Sequence, residues 1–305
     1  MSFTHMGRSK HSIGVLLVLT SAVAFAIGPT AAKLALDNGS NTLTVVTLRG
    51  AIGSVLLGLL IVMFRQGFRI SRLALQWCLC CSIFSALMVY GLIGSVSYIP
   101  ISVAVLIFFT HPIVIALIVH CRGGDRLTAK KLLLAFGALA GLALALTPTF
   151  ENLEPTGVAL AALAAITICG AILCGARAQQ FATSTQVNLY VTAITCIVFV
   201  LLTFALDAWS LPTTNVGWLG IAGAGVGIAI GLLCFFAAFR YISPVRATML
   251  SNVEPLLSIL IASAVLGERL QPLQWIGVAV MIAAIVLFEA ADRNARIEVP
   301  QTASG

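Results

Sequence analysis

Long apolar runs make up most of the chain, and short polar connections separate them. Each run has about 20 residues, the length that an α-helix needs to cross a hydrocarbon core of roughly 30 Å. Polar and apolar residues do not alternate within the runs, as they would in the strands of a membrane β-barrel. The pattern predicts ten transmembrane helices, called spans one to ten here, at about 12–36, 42–64, 73–97, 101–121, 129–147, 155–177, 186–207, 215–239, 244–267 and 272–290.

Residues 98–127 and 241–270 are two copies of one sequence, with nine of thirty positions identical and no gap. A cluster of Lys and Arg follows the apolar part of the first copy, but the second copy lacks it. Because basic connections stay on the cytoplasmic side of a membrane, we expect the two copies to cross it in opposite directions. The sequence thus predicts an all-α integral membrane protein, in which two inverted five-helix repeats surround a central cavity.

The predicted repeats cover residues 12–147 and 155–290, and 148–154 form an outer linker between them. Residues 1–11 and 291–305 are predicted as cytoplasmic tails, the second of them disordered. With both termini inside, 14 of the 17 Lys and Arg residues fall in inner segments, Arg246 among them. This distribution predicts a multi-pass protein of the cell membrane, which we expect to be the bacterial inner membrane.

Composition excludes most other classes of protein. Sixty per cent of the residues are hydrophobic and only nine per cent are charged, which is far from the usage of soluble domains. The basic inner segments account for the net charge of +7, so we predict the lipid bilayer rather than nucleic acid as the partner. The first apolar run is longer than the core of a signal peptide and is therefore assigned to span one.

Motifs of the common catalytic classes are missing from the sequence. Neither a Walker motif, nor an H-E-x-x-H pair, nor a G-x-S-x-G elbow occurs, and a gradient is the expected energy source. The eight cysteines fall within spans or at a cytoplasmic edge, where we interpret them as small apolar packing residues. We predict no enzyme activity, no metal site and no cofactor.

Two ionisable residues fall near the middle of the membrane at equivalent positions of the two copies. Glu254 lies about 15 Å deep in span nine, since it is ten residues after the start at Pro244 and a helix rises about 1.5 Å per residue. His111 has the same place in span four. Pro112 and Pro255 follow them directly, and each proline frees the carbonyl four residues earlier. We predict a polar kink in both spans, at the depth where transporters bind their substrates.

The sequence leaves two interpretations of these groups open. In one, Glu254 binds a proton or the amine of a substrate, as intramembrane carboxylates often do. In the other, Glu254 stabilises the kink through hydrogen bonds to the backbone or to Asn252. His111 is either a second proton site, because an imidazole changes charge near neutral pH, or a neutral core residue. The candidate site is therefore Glu254, His111 and Asn252, with Pro112 and Pro255 as helix breaks.

Arg49 is a fourth candidate, about seven residues inside span two. Its guanidinium is suited to hold a carboxylate with two hydrogen bonds. The alternatives are that Arg49 extends to the outer headgroups or pairs with an acid such as Asp37. Span eight is rich in glycine, and Gly223 and Gly227 are candidates for bending or gating there, with close helix packing as the alternative.

These features resemble the EamA branch of the drug/metabolite transporter superfamily. The resemblance covers nearly the whole chain and is most specific at three short segments of each repeat. In the second repeat these are Tyr241–Pro244, Glu254-Pro255 and Gly267-Glu268-Arg269-Leu270. In the first they are Tyr98–Pro100, His111-Pro112 and Gly124-Asp125-Arg126-Leu127, with His111 in place of the glutamate. The resemblance implies a carrier, often an exporter of metabolites, with a cavity lined by spans one, three, four, six, eight and nine.

The leading hypothesis is a secondary transporter that exports a small polar metabolite, such as an amino acid, by alternating access, with or without exchange of a proton. Glu254 is then the site of the ammonium group or proton, and Arg49 the site of the carboxylate. The first alternative is export of lipophilic cations or drugs, with Glu254 as the one charged contact. A membrane scaffold or sensor is the second alternative, but the short connections offer little surface for a partner.

Overall fold

The structure is a computed structural model that describes residues 3–123, 128–148, 153–266 and 270–297. Within these ranges the chain is helical and contains no strand. The helices are α1 Phe3–Asp37, α2 Thr42–Met63, α3 Arg72–Ser95, α4 Ile101–Phe108, α5 His111–Cys121, α6 Ala129–Leu146, α7 Pro155–Ala178, α8 Ser184–Ala205, α9 Asn215–Ala238, α10 Pro244–Ser251, α11 Val253–Leu266 and α12 Pro272–Ile297. The described residues contain ten segments that are long and apolar enough to span a membrane, which confirms the predicted spans.

Some predicted segments differ from the observed bounds or lie outside the described residues. α1 begins at Phe3, inside the predicted N-terminal tail, and α12 continues to Ile297, beyond the predicted end of span ten. Residues 298–305 of the predicted disordered tail lie outside the described residues, as do 149–152 of the linker. The same holds for residues 124–127 and 267–269 of the G-x-R-L motifs.

Polar side chains start many of the helices, because the first N–H groups of a helix have no partner within it. Asn41 accepts a hydrogen bond from the Thr44 N–H at the start of α2, and Ser71 does the same for α3. Thr183 and Gln186 form a complete capping box at the start of α8. These caps fix the ends of the apolar runs, and the connections between them stay short.

Spans four and nine are each divided into two helices, where a single kinked helix was predicted. Adding 143 to the bounds of α4 gives the bounds of α10, so the two divisions are equivalent in the repeats. Pro112 and Pro255 fall within the first three residues of the helices after the divisions. Because proline lacks an N–H and its ring contacts the carbonyl four residues back, a continuous helix is disfavoured there.

The main helix contacts join one repeat to the other. α1 packs along α9 and α7 packs along α3, two pairs that an inverted repeat relates to each other, while α2 packs on α8 and α6 on α12. Small residues at these contacts allow the helix backbones to approach each other closely. A Cβ added at Gly227 would lie 2.6 Å from the Ala24 carbonyl oxygen, and one added at Gly91 would lie 2.7 Å from that of Leu160. The two repeats therefore interlock rather than form separate bundles.

We call the end of the bundle that carries Arg65, Arg122, Arg177 and Arg240 the basic end. One large apolar cluster joins α1, α5, α9 and α10 with α6 and α12, and a second cluster joins α5 and α10 to α6 and α12. Two smaller clusters lie near the opposite end, one around Val103 and Ala161 and the other around Val45 and Ile221. The apolar core thus continues through both repeats.

Candidate functional site

Glu254 is the second residue of α11, directly after the division of span nine. Its side chain is half-buried, although Asn252 and Pro255 beside it are buried. Among the residues that the structure describes, none forms a hydrogen bond or an ion pair with the Glu254 carboxyl. The carboxyl lies at the positively polarised start of α11 and close to the negatively polarised end of α10. Such a group is available to bind a cation or a proton.

Asn252 lies at the division itself, with 6% of its surface exposed. Its side-chain Oδ1 is buried and has no hydrogen-bond partner among the described residues. The hydrogen bond between Glu254 and Asn252, which one interpretation of the sequence required, is not formed. On α10, by contrast, the Thr248 and Ser251 hydroxyls donate to carbonyls of their own helix. Asn252 and Glu254 are therefore the groups of this segment whose oxygens are left without a protein donor.

His111 is buried, with 5% of its surface exposed, at the start of α5. Its Nδ1 lies 3.0 Å from the Phe108 carbonyl oxygen, which is the carbonyl that Pro112 leaves without a helical partner. The rings of Phe108 and Phe109 flank the imidazole at centroid distances of 5.0 and 5.7 Å. Because a carbonyl oxygen only accepts, Nδ1 is the donor here, and His111 provides the partner of the carbonyl that Pro112 frees.

Arg49 lies at the start of the third turn of α2, and its side chain is half-buried. No described residue forms a hydrogen bond or an ion pair with its guanidinium, and Asp37 is exposed at the end of α1. The Arg49 carbonyl oxygen would lie 3.3 Å from a Cβ added at Gly225, which places this turn of α2 against α9. The structure does not join Arg49 to Glu254, since α2 packs on α8 and α9 whereas α11 packs on α1.

The two glycine candidates do not break their helix. α9 runs from Asn215 to Ala238 through both Gly223 and Gly227. Gly227 lies against the Ala24 carbonyl of α1, and a Cβ added at Gly223 would make only an ordinary contact of 3.5 Å with Ala31 Cβ. In this structure the divisions lie next to Pro112 and Pro255 rather than at these glycines, and the close approach of α1 gives Gly227 a packing role.

Sequence reasoning missed a cluster of ionisable groups near the basic end. The Arg246 guanidinium on α10 is 2% exposed and binds the Glu289 carboxylate on α12 through Nε, at 3.0 Å, and through Nη2. His11 Nε2 on α1 lies 2.7 Å from Arg246 Nη2 and 3.0 Å from Glu289 Oε1. Arg246 was counted as a basic residue of an inner segment, but it is buried inside the bundle. The signal that was overlooked is an acidic residue, Glu289, within a predicted span.

Comparison with known proteins agrees with this architecture. The family model described as "EamA-like transporter family" matches residues 12–147 and again 155–289. A solved structure titled "Crystal structure of protein" superposes with a TM-score of 0.81 over 93% of this chain and 99% of its own, at 16% identity, which shows a shared fold. No curated protein matches the chain. Two matches of one family model, one in each half, cover most of the sequence, and the chain therefore belongs to the EamA-like transporter family.

Proposed function

We propose that this transporter exports a small polar metabolite that carries an amine, such as an amino acid, by alternating access and in exchange for a proton. The observation that carries the proposal is the Glu254 carboxyl, half-buried at the division of span nine and without a described partner. A carboxyl inside a membrane span is costly unless it faces a cavity or a partner. A substrate ammonium group or a proton supplies that partner.

The carboxyl-terminal end of α10 supports a cation at this place. The last carbonyls of α10 point towards the division, and the end of a helix carries a partial negative charge. Transporters commonly bind cations or substrates where a membrane helix is discontinuous near the bilayer middle. The ammonium group and the proton compete for Glu254, so one leaves as the other binds, which is the requirement for exchange.

Arg49 is a separate candidate for binding a carboxylate, since the packing of α2 does not place it beside Glu254. Its guanidinium has no described partner, and it lies in a span that packs against α9. An arginine with free donors binds a carboxylate with two parallel hydrogen bonds. In this proposal the basic end of the bundle faces the cytoplasm, as the distribution of Lys and Arg predicts.

The test begins with a thermal-shift screen of the purified protein against amino acids, sugars and organic cations. A ligand that binds only the folded protein raises its apparent stability, by about 2.7 kcal/mol at a hundred times its Kd. The strongest ligand is then loaded into proteoliposomes, and its efflux is measured with and without an inward proton gradient. We expect a zwitterionic amine to bind and its efflux to accelerate with the gradient.

Glu254→Gln is the decisive variant in these vesicles, because it keeps the shape of the side chain and removes its charge. Efflux that no longer responds to the proton gradient supports the proposal, whereas coupling that persists removes Glu254 from the mechanism. Glu154→Gln is the matched control, since Glu154 is an exposed carboxyl before α7 that forms no side-chain cap. We expect this control to transport like the parent protein.

One observation favours the alternative substrate, a lipophilic cation. The rings of Phe108 and Phe109 lie together at the equivalent division of span four, and aromatic faces attract organic cations. Competition in the same vesicles separates the two substrates. An amino acid that fails to slow the efflux of a cationic dye, together with a dye that binds in the thermal-shift screen, favours the alternative.

A further inference from the structure

We infer that the cluster of His11, Arg246 and Glu289 holds the basic end of the transporter closed, and that it separates when this end opens. The inference rests on the alternating access proposed above. It adds a specific set of residues, on α1, α10 and α12, that no part of the substrate proposal uses.

The placement of the cluster is the first argument. Arg246 lies on α10, one turn before Met249, which is 3% exposed and packs in the cluster that contains Ile113 and Ala116 of α5. The contact between α5 and α10 is therefore directly beside the ion pair. A movement of α10 away from α5 would pull Arg246 away from Glu289 of α12 or from His11 of α1.

The difference between the repeats is the second argument. The offset of 143 residues that relates α4 to α10 places Val103 opposite Arg246 and Leu146 opposite Glu289. Val103 is 2% exposed and packs with Ile99, Ala104 and Ala161 near the other end of the bundle. The same fold therefore uses apolar packing at one end and a buried ion pair at the other, so the ion pair is not required by the fold.

The physical chemistry of a buried ion pair is the third argument. Taking two charges out of water costs about as much as their attraction returns, so such a pair is a poor source of stability, and its best-attested use is to select one arrangement over another. When water enters, both charges become hydrated and the pair separates at lower cost. His11 Nε2 has one hydrogen-bonding position, so it either accepts from Arg246 or donates to Glu289, and in both cases it attaches α1 to the pair.

The test measures how fast a thiol reagent reaches the buried contact beside the cluster. The parent protein for this test carries Met249→Cys. Its native cysteines are replaced, except Cys78, which is kept as an internal reference. Cys78 is fully buried among residues of α3, α7 and α8, away from α10. Labelling at each position is followed by mass spectrometry of the peptides, with the protein in vesicles and without substrate.

We expect Arg246→Met and Glu289→Gln each to raise the labelling rate at Met249→Cys by about tenfold or more, while Cys78 stays protected. The charge-reversed pair, Arg246→Glu with Glu289→Arg, should return the rate to within about threefold of the parent. Arg240→Met is the matched control, because Arg240 is an exposed arginine at the same end of the bundle. It should leave the rate unchanged.

Three results would overturn the inference. Labelling at Met249→Cys that stays within about twofold of the parent in both single variants shows that the cluster does not hold this end closed. A rise in the labelling of Cys78 as large as the rise at Met249→Cys shows that the cluster is needed for folding instead. A charge-reversed pair that labels as fast as the single variants shows that pairing of the two charges is not the cause. Because labelling needs no substrate, these results are independent of the Glu254→Gln transport test.

Discussion

Spans four and nine are both divided into an eight-residue helix and a longer helix, and in both a proline follows the division. Their side chains differ. In span four, Nδ1 of the buried His111 lies within hydrogen-bonding distance of the Phe108 carbonyl that the proline frees. In span nine no described side chain donates to the equivalent Ser251 carbonyl, and the Glu254 carboxyl and Asn252 Oδ1 are without donors.

The two divisions place different side chains at equivalent positions of the repeats, and within the described part of the chain only one of them provides a donor for the freed carbonyl. In the first division His111 Nδ1 donates to the Phe108 carbonyl that the proline frees, and the rings of Phe108 and Phe109 flank the imidazole. The second leaves polar groups unsatisfied, a state that persists in a protein only where something else supplies the partner. We expect the first division to be structural and the second to bind.

The largest expected effect comes from placing the first repeat's side chain in the second. Glu254→His should lower transport by at least about 100-fold, or roughly 2.7 kcal/mol, because an imidazole does not replace a carboxylate as the partner of an ammonium group. Efflux of the identified substrate from proteoliposomes is the measurement. Transport above about half of the parent rate would show that the difference between the two positions has no functional meaning.

Removing the polar group should affect stability differently at the two divisions. His111→Leu should lower the free energy of unfolding by about 1–3 kcal/mol, because the Phe108 carbonyl loses its buried donor. Glu254→Leu should leave it unchanged or raise it, since no described partner is lost and a costly carboxyl is removed. Unfolding in detergent by denaturant titration gives both values. A loss of equal size at both positions would contradict the proposed division of tasks.

The prolines offer a smaller test of the same idea. Pro255→Ala restores an N–H that can bind the Ser251 carbonyl, so we expect a gain of about 1 kcal/mol in unfolding free energy and slower transport. Pro112→Ala should change stability by less than about 0.5 kcal/mol, because His111 already serves the Phe108 carbonyl. The same titration and efflux measurements apply. A gain at Pro112 as large as that at Pro255 would argue against a role for His111.

Asn252 and Phe109, which are equivalent in the repeats, give the smallest expected effects. Asn252→Leu should raise the free energy of unfolding by up to about 1 kcal/mol, since a buried oxygen without a donor is removed. Phe109→Leu should lower it by about 1 kcal/mol through lost ring contacts with His111 and Phe108. If Asn252→Leu is destabilising instead, Asn252 has a structural role and should be removed from the candidate site.

The hydrophobic pattern determined the ten spans, and the two similar copies with their different basic connections predicted the inverted repeat. A run of about 20 apolar residues has few alternatives to a membrane helix, because every backbone group must find its partner inside the segment. Proline chemistry is equally local, so Pro112 and Pro255 indicated where spans four and nine would be disturbed. This local chemistry predicted a kink, whereas the structure divides each span into two helices.

Contacts between residues far apart in the chain were decided only by the tertiary structure. His11 and Arg246 are 235 positions apart, and neither periodicity nor composition relates them. The buried state of Arg246 follows from the packing of α10 between α1 and α12, whereas its charge and position near a predicted inner connection suggested an exposed residue. The sequence determined which groups are polar inside the membrane, and the fold determined which of them are paired, because pairing depends on distance in space rather than along the chain.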